Sequence, residues 1–374
     1  MPQTIAASWA RPLTDPAAFA QEQERLAQVW TLLGLTTGLS HDGDWFRATL
    51  GGRSVFVQRF GDTLRGFENR CAHRFYPLRT EEQGNGVVRC GFHHWQYDAE
   101  GRAVGIPKCQ EMFGCTPREL DARLNPIEIA TCGILVFGRF PKPDARPSLE
   151  QFLGDGFAIL NAMFGRPARP SVIEREVAAN WKLCFHITLE EYHIVAVHPD
   201  TFGKQGYLAP DTVHYSRFGW HSAFLESSSV ERMAEQCRDG GYRPADYRVM
   251  QFFPNLVAAQ VWAARSWYVV LQQYLPLAHD RTLMRGWSFH SPFPHTDGDW
   301  RAGLLRRMVE PWEPLAMRHY WSKTLAEDHR TCERMQAYAA QMSGSPLLSR
   351  HEQRIAWFEE AYMEAMTATA SSSG

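Results

Sequence analysis

The sequence predicts an α+β protein in which an all-β domain precedes a mixed domain with an antiparallel sheet and helices. Three observations support this fold class. From Trp45 to about Phe140, short β-rich runs alternate with glycine turns such as Gly51-Gly52, which is typical of hairpins. Beyond that point, longer strand-like runs mix with helical ones,. The 374 residues are enough for two domains with separate cores,.

The domain boundaries follow from changes in the predicted secondary structure along the chain. Asp15-Pro16 combines an N-cap residue with proline at the first helical position, which predicts an early helix running to Trp30,. Three prolines mark the linker after the all-β domain: Pro141, Pro143 and Pro147,. We therefore expect a helical N-terminal segment that packs on the mixed domain, then the all-β domain, then the mixed domain. Their ranges are 1–44, 45–140 and 141–374.

The mixed domain has clear element signals. A helix is predicted across Trp181–Ala196, and a long one from about Pro314 to Met342. Ser349 and Glu352 form a capping-box pattern that predicts a last helix, with an apolar stripe of Ile355, Phe358, Tyr362 and Met366,. Strands are predicted at Val213–Phe224, Arg248–Ala264, Ser266–Tyr274 and Arg281–His290.

Composition excludes several classes of protein. Hydrophobic residues make up 44% and charged residues 21%, as in globular proteins. A net charge of −2 gives no surface for nucleic acid, and no run of 18 apolar residues is present to span a membrane,. Met1 to Pro12 lacks the pattern of a secretory signal. We therefore expect a cytoplasmic protein with reduced thiols.

Two cysteines stand out because histidines follow them at ligand spacing. Cys71 is followed by His73, and Cys90 by His93. Two such loops can hold one iron through two thiolates and another through two imidazoles. Zinc is an alternative, but its cysteines are usually paired as C-x2–4-C, and a purely structural use is another. His94 lies at the wrong spacing, so we expect it to serve in packing or solvent contact.

A second group of ligand-type residues lies in the mixed domain. His193 and His198 are five residues apart, about 140° around a regular helix, so they can share a metal only if the helix distorts or ends between them. Glu190 precedes His193 by three residues and faces the same way. Alone, the two histidines are as compatible with a structural role.

A carboxylate completes this second group. Leu325, Asp328, Cys332 and Met335 follow a helical rhythm that places Asp328 within an apolar, core-facing stripe and leaves Glu327 and Arg330 off it. A buried lone carboxylate needs a compensating charge. Two histidines and one carboxylate form the facial triad of non-heme iron. Exposure of Asp328 to solvent is the alternative.

These residues resemble a known family. NRCAHRFYPL and RCGFHHWQYD resemble the Rieske domain of ring-hydroxylating oxygenase α subunits, although Phe75 stands where many members have glycine. NWKLCFHITLEEYHIVAVHP and the later Glu327-Asp328 with Gln336 resemble the catalytic domain. The resemblance spans residues 25 to 365. It implies a helix-grip catalytic domain, a [2Fe-2S] Rieske cluster, and His193, His198 and Asp328 as Fe(II) ligands.

The resemblance also implies assembly and electron supply. Glu190 occupies the position of an acid that connects the iron to the second cluster histidine of a neighbouring subunit, usually in a homotrimer. Electrons would come from NAD(P)H through a separate ferredoxin or reductase, because the chain has no GxGxxG segment. His186 stands where many members have Glu. Spaced i, i+4, i+7 with Glu190 and His193, it could support the iron site or simply pack.

The implied function is that of a terminal oxygenase acting on O2 and a small organic, aromatic substrate. Dihydroxylation, monohydroxylation and oxidative demethylation are not separable by sequence. A Rieske electron carrier and an apolar-ligand-binding protein are the alternatives. Six aromatic residues in the strands could line a substrate pocket or belong to ordinary core: Phe252, Phe253, Trp262, Trp267, Tyr268 and Tyr274.

Overall fold

The computed structural model describes most of the chain as two compact units. One comprises Met1–Glu22 with Glu150–Gly374, and the other comprises Gln23–Leu149. The domain division expected at residues 45 and 140 stays a prediction. The described residues are 3–5, 7–143, 146–165, 170–199, 201, 214–225, 229–241, 248–263, 266–290 and 312–367.

Antiparallel strands form most of both units. In chain order they are β1 (Gln3–Thr4), β2 (Thr31–Leu35), β3 (Asp44–Leu50), β4 (Arg53–Phe60), β5 (Thr63–Glu68), β6 (Gln83–Asn85), β7 (Val88–Arg89), β8 (Gln96–Tyr97), β9 (Ala103–Gly105), β10 (Pro126–Cys132), β11 (Leu135–Arg139), β12 (Ser171–Val177), β13 (His214–Phe218), β14 (His221–Leu225), β15 (Arg248–Phe252), β16 (Leu256–Ala263), β17 (Ser266–Ala278), β18 (Arg281–His290) and β19 (Leu347–Leu348).

The helices of the described residues are mostly short. They are α1 (Arg11–Thr14), α2 (Pro16–Leu26), α3 (Cys109–Phe113), α4 (Pro117–Leu120), α5 (Leu149–Leu153), α6 (Asp155–Phe164), α7 (Trp181–His186), α8 (Ile194–Val197), α9 (Val230–Arg238), α10 (Glu313–Ala337) and α11 (Gln353–Thr367). Single 3-10 turns occur at Ala7–Ala10, Thr36–Gly38, Ile187–Leu189, Ala339–Gln341 and Arg350–Glu352. None of the described helices is both long and apolar enough to cross a membrane.

The Gln23–Leu149 unit has two sheets. The larger runs β2-β11-β10-β5-β4-β3-β6 and the smaller β7-β8-β9. Strand β4 is buried on both faces: Val55 and Val57 pack into one core, whereas Phe56 packs into another that contains Cys71 and Cys90. Because side chains alternate along a strand, β4 separates the two cores. The second core supports the cysteine-bearing loops.

The N-terminal segment is less helical than the sequence predicted. Helix α2 begins as expected, with Asp15 Oδ1 accepting the Ala17 N–H at 2.9 Å. It ends at Leu26 rather than Trp30, and Thr31–Leu35 is a strand of the large sheet. Gly34 fits this strand because a Cβ there would lie 2.9 Å from the Phe46 ring. The predicted helix is therefore four residues shorter than expected, and the remainder of the segment includes a strand.

The other unit is built on a seven-stranded antiparallel sheet. Its order is β12-β18-β17-β16-β15-β14-β13. Phe164 of α6 packs edge-on against Phe289 on one face. On the opposite face, Trp321 of α10 lies against Gly286, where a Cβ would be 2.7 Å from the indole. The sheet is thus covered by helices on both sides, which agrees with the predicted α+β class.

Two of the predicted strands are hairpins. The one predicted at Val213–Phe224, of which Val213 lies outside the described residues, is β13 and β14, because Gly219 adopts a φ of 59° and turns the chain. The one at Arg248–Ala264, whose last residue is also outside, is β15 and β16, because Pro254 interrupts the ladder,. Strand β18 has the predicted bounds, and β17 continues beyond Tyr274.

The C-terminal elements follow the sequence signals closely. Helix α10 covers most of the predicted Pro314–Met342 range. Before α11, Glu352 Oε2 accepts the Ser349 N–H at 2.8 Å, as a capping box requires. Three residues of the predicted stripe are buried, namely Ile355, Phe358 and Tyr362.

Candidate metal centres

The helix predicted across Trp181–Ala196 is broken, and the break creates the site. Helix α7 ends at His186, a 3-10 turn follows, and Glu190 is extended with φ −147° and ψ 160°. Side chains satisfy the end of the helix: Thr188 Oγ1 donates to the Phe185 carbonyl at 2.7 Å, and Gln251 Nε2 donates to the Thr188 carbonyl. The prediction of one continuous helix is therefore wrong.

A one-turn helix brings the two predicted histidines together. His193 immediately precedes α8 and His198 immediately follows it. Their rings are 5.3 Å apart, and both Nε2 atoms face Asp328 Oδ1, His198 at 2.8 Å and His193 at 3.4 Å. One donor atom from each of the three residues lies within 4.8 Å of the others. This arrangement can hold one metal ion.

Two further carboxylates hold the outer nitrogens of the imidazoles. Glu190 Oε1 lies 2.6 Å from His193 Nδ1, and Glu327 Oε2 lies 2.9 Å from His198 Nδ1. Thr201 Oγ1 donates to the same Glu327 oxygen at 2.8 Å. The sequence left Glu327 off the core-facing stripe, which is wrong. Its neighbour position to Asp328 was the available signal, since metal-binding histidines usually have a carboxylate on the far nitrogen.

The charges of this group require compensation. Burial would raise the pKa of Asp328, but the two histidines hold it below its ordinary value. Burial would lower the pKa of His193, but Asp328 and Glu190 raise it to about 10. Although Asp328 Oδ1 lies close to both imidazoles, the geometry there is not that of a hydrogen bond, and this buried oxygen has no hydrogen-bond partner. A dication fits this donor set.

His186 lies in a different environment from the histidine pair. Its Nε2 is 2.9 Å from Glu359 Oε1, and its ring stacks on Trp9. Because the helix breaks, the expected common face of His186, Glu190 and His193 does not exist. His186 instead belongs to a buried polar group with Lys182, whose ammonium lowers the pKa of Glu359 against the effect of burial.

The residues next to the metal-binding turn are anchored by the last helix. Arg354 of α11 is fully buried and donates to Gln251 Oε1 at 2.6 Å. It also pairs with Glu191, whose second oxygen accepts from the Tyr215 hydroxyl at 3.1 Å. Since Gln251 in turn bonds Thr188, the backbone on the N-terminal side of the histidine pair is fixed from two sides.

In the other unit, Cys71 and Cys90 lie in two loops with the same backbone turn. The N–H of Phe75 donates to the Cys71 carbonyl, and that of His94 donates to the Cys90 carbonyl, both at 3.0 Å. Phe75 and His94 adopt φ of 58° and 61°, so the glycine often found at position 75 in the resembled family suits this turn. The side chain of His94 is exposed, and the residue contributes to the turn through its backbone N–H.

The four cluster-type residues form two pairs. Cys71 and Cys90 are buried, unbridged and close enough to influence each other's ionisation. The rings of His73 and His93 are 4.6 Å apart, and His73 Nδ1 is a buried nitrogen without a hydrogen-bond partner. Two cysteines and two histidines are the donor set of a Rieske cluster.

Tyr97 is a residue of this site that sequence reasoning missed. Its hydroxyl lies 3.0 Å from Cys71 Sγ and accepts the Ala72 N–H at 3.1 Å. Burial raises the pKa of Tyr97 well above its ordinary value, so the phenol stays protonated and can donate to the sulfur. Its position in the WQY run after the second loop was the only signal.

A cavity of about 110 Å³ adjoins the histidine pair. Of the six aromatic residues suggested for a pocket, the five with described side chains do not line it. Phe252, Phe253, Tyr268 and Tyr274 are buried in the core, as the alternative interpretation had it. Trp267 is half-buried, and the Trp262 side chain lies outside the described residues. Aliphatic side chains and the face of α10 form the lining instead.

A known protein family matches part of each unit. Residues 164–368, more than half of the chain, match the family described as ring hydroxylating alpha subunit (catalytic domain). Residues 29–123 match the Rieske [2Fe-2S] domain. The α2 terminal oxygenase component subunit of terephthalate 1,2-dioxygenase from a Comamonas species is 31% identical over 208 residues, covering 50% of this chain and 47% of that protein. The chain thus matches about half the length of this relative.

Two other comparisons extend over more of the chain. The large subunit of anthranilate 1,2-dioxygenase from Burkholderia cepacia is 28% identical, covering 71% of this chain and 70% of that protein. The crystal structure of naphthalene 1,2-dioxygenase from a Rhodococcus species covers 98% of this chain and 95% of its own, with a TM-score of 0.74 and 21% identity. This last likeness concerns the fold.

Proposed function

This chain belongs to the ring-hydroxylating alpha subunit family, and on that premise we propose that it is the terminal component of a Rieske-type oxygenase. It would use electrons relayed from NAD(P)H to activate O2 and oxygenate a small aromatic substrate by dihydroxylation, monohydroxylation or oxidative demethylation. One observation carries the proposal: two imidazole Nε2 atoms and the Asp328 carboxylate converge beside a cavity.

The ligand assignment follows the two donor sets. His193, His198 and Asp328 would hold Fe(II). The cluster would bind through two thiolates and two imidazoles, supplied by Cys71, His73, Cys90 and His93. When bound, the cluster supplies single electrons and the iron activates dioxygen.

The protein's own groups prepare the iron ligands. Glu190 and Glu327 accept from the Nδ1 atoms of the two histidines, which fixes the tautomer that leaves each Nε2 lone pair free for the metal. The cavity side chains position the substrate and exclude water. His186, engaged with Glu359, would then act by holding the end of α7 and not by touching the iron.

Iron stoichiometry separates this proposal from a Rieske electron carrier. The proposed oxygenase holds about three irons per chain, whereas a carrier holds about two. Asp328→Ala should lower the content by about one iron, keep the cluster absorbance and abolish product formation. Glu333→Gln on the same helix is the control and should retain both metals.

Cluster variants complete the experiment. Cys71→Ala should remove the visible absorbance and the paramagnetic signal of the reduced cluster, whereas Cys115→Ala should keep both. Full oxygenase activity in Asp328→Ala would contradict the triad. Absence of oxygen-dependent turnover in a fully metal-loaded protein with a surrogate reductase would favour an apolar-ligand-binding protein.

We also propose a homotrimer in which the cluster of one copy serves the iron of the next. Exposed apolar side chains in each of the two units support this idea. Tyr192 and Val195, close in sequence to Glu190, are 72% and 76% exposed. Phe75 and Phe92, in the cluster loops, are 68% and 49% exposed. Exposed apolar side chains of this size are typical of protein contacts, and a head-to-tail contact closes into a ring.

Glu190 would transmit electrons across this contact. In the proposed trimer it accepts hydrogen bonds from His193 and from His93 of the neighbouring copy. Glu190→Gln should preserve the trimer and slow oxidation of the pre-reduced cluster in a single turnover by orders of magnitude. Glu327→Gln is the matched control, because it also removes a carboxylate from a histidine Nδ1 but should leave cluster oxidation much faster than in Glu190→Gln. Equal rates in the two variants would refute this role.

The remaining partners follow from the same proposal. A separate ferredoxin or reductase would deliver electrons to the cluster, and O2 and the organic substrate would meet at the iron. We expect this work to take place in the cytoplasm, where the eight free cysteines stay reduced.

A further inference from the structure

The floor of the cavity is one face of the seven-stranded sheet that contains β15, β16 and β17. Cross-strand pairing places Val257 opposite Gln272 and Ala259 opposite Val270, and Val249 lies opposite Ala259 on the next strand. Directly paired residues share a face, so these five side chains form a continuous patch. All five line the cavity, and four of them are aliphatic.

Gln272 is the only polar residue of this five-residue patch, and its amide has no hydrogen-bond partner among the described residues. The other polar lining residues outside the triad have internal partners: Thr188 bonds the Phe185 carbonyl, Thr324 bonds the Tyr320 carbonyl, and Tyr320 also has a partner. Gln272 is half-buried and makes no side-chain hydrogen bond in the described structure. Its amide can therefore serve a ligand in the cavity.

The described lining residues offer no free side-chain charge to pair with a charged ligand. These residues include no lysine or arginine, so a carboxylate would find no side-chain counter-charge and could pair only with the bound metal ion. Its acidic groups are already engaged, Glu190 with His193 and Glu191 with Arg354, so a cation would also lack a partner. Burying an unpaired charge costs more than burying a neutral group.

The size of the cavity limits the ligand further. Its volume of about 110 Å³ compares with the roughly 150 Å³ apolar cavity that holds a benzene molecule in a well-studied mutant protein. One six-membered ring is therefore the largest ring system we expect it to hold.

We propose that the cavity takes an uncharged, single-ring substrate carrying one hydroxyl or similar hydrogen-bonding group, and that Gln272 recognises this group. The inference rests on the proposed oxygenase function and narrows it. Gln272 acts as a specificity residue, because an apolar ligand that covers the amide without bonding it is disfavoured relative to a ligand that can bond it.

Equilibrium binding tests the inference without turnover. The anaerobic, metal-loaded full chain without reductant would be titrated calorimetrically with phenol, toluene, benzoate, benzyltrimethylammonium and naphthalene. We expect phenol to bind most tightly, toluene more weakly, and the two ions and naphthalene more weakly still. Tighter binding of benzoate, the ammonium compound or naphthalene than of phenol would overturn the proposed substrate class.

Two variants isolate the role of Gln272. Gln272→Leu should reduce the phenol-to-toluene affinity ratio about tenfold by removing the hydrogen bond. Val257→Leu, at the directly paired position, should weaken both ligands while keeping their ratio. An unchanged ratio in Gln272→Leu would refute recognition by this amide. If no ligand binds a protein that still passes the iron and turnover tests, this inference fails and the oxygenase proposal stands.

Discussion

Single residues at both candidate metal centres act through side-chain hydrogen bonds, and the sequence predicted only some of them. The proposed ligands could be selected from the sequence because metal chemistry restricts both residue type and spacing. Glu327 and Tyr97 were not, because each depends on where a side chain points. Glu327 reaches His198 from a helix position that a simple periodicity assigns to solvent.

Tyr97 provides a test at this scale. Its protonated hydroxyl can donate to Cys71 Sγ, and such a bond stabilises the reduced, more negative cluster. Tyr97→Phe should therefore lower the reduction potential on the order of 50 mV while the cluster remains bound. Protein-film voltammetry would measure the shift. Tyr76→Phe, an exposed tyrosine beside the same loop, is the control, and an equal shift in that variant would contradict a specific effect of Tyr97.

At the scale of elements, capping residues, turn glycines and alternating apolar residues predicted those helices and strands whose ends depend on neighbouring residues. The helix start at Asp15, the glycine hairpins of the all-β unit and strand β18 all agree with the structure. The break after His186 did not emerge, because side chains distant in sequence satisfy the end of that helix. Gln251 lies 63 residues from its partner Thr188, and no periodicity reports such a contact.

Arg354 is the element-scale prediction, since it ties helix α11 to the metal-binding turn. Arg354→Leu removes the counter-charge of the buried Glu191. Burial already raises the pKa of this carboxyl group. We expect a loss of about 3–5 kcal/mol in the free energy of unfolding. Arg354→Leu combined with Glu191→Leu should recover much of this loss. Denaturant titration measures both. Equal stability of the single and the double variant would argue against the ion pair as the cause.

At the scale of the whole molecule, buried neutral groups tie stability to pH. His221 donates from Nε2 to the Phe152 carbonyl at 2.8 Å and accepts the Phe253 N–H on Nδ1 at 3.0 Å. Burial lowers the pKa of His221 from 6.5 to about 4. The folded state thus binds fewer protons than the unfolded state between these values. The contribution of neutral His221 to the free energy of unfolding is complete above pH 6.5 and is lost as the pH falls towards 4,.

The resulting prediction concerns acid sensitivity. Between about pH 7 and pH 5 the protein should lose about 2 kcal/mol of unfolding free energy through this one group. His221→Gln should lower stability at neutral pH and flatten the dependence on pH over the same interval. Denaturation midpoints at several pH values would show the difference in slope. Parallel profiles for the two proteins would mean that other groups control the acid sensitivity.

The division of the chain also has a consequence for its synthesis. Residues 1–22 belong to the same compact unit as residues 150–374, and Gln3 and Thr4 pair with Leu348 and Leu347. On a ribosome, the intervening 23–149 unit can therefore finish folding first, while the leading segment waits for partners that are translated last. Domains generally fold as units during translation. The carbonyl of Trp9 accepts a hydrogen bond from the buried Lys182 ammonium, and this bond cannot form until Lys182 has been translated. A nascent chain stalled once residue 149 has left the ribosomal exit tunnel should thus expose its first 22 residues to protease and protect residues 23–149.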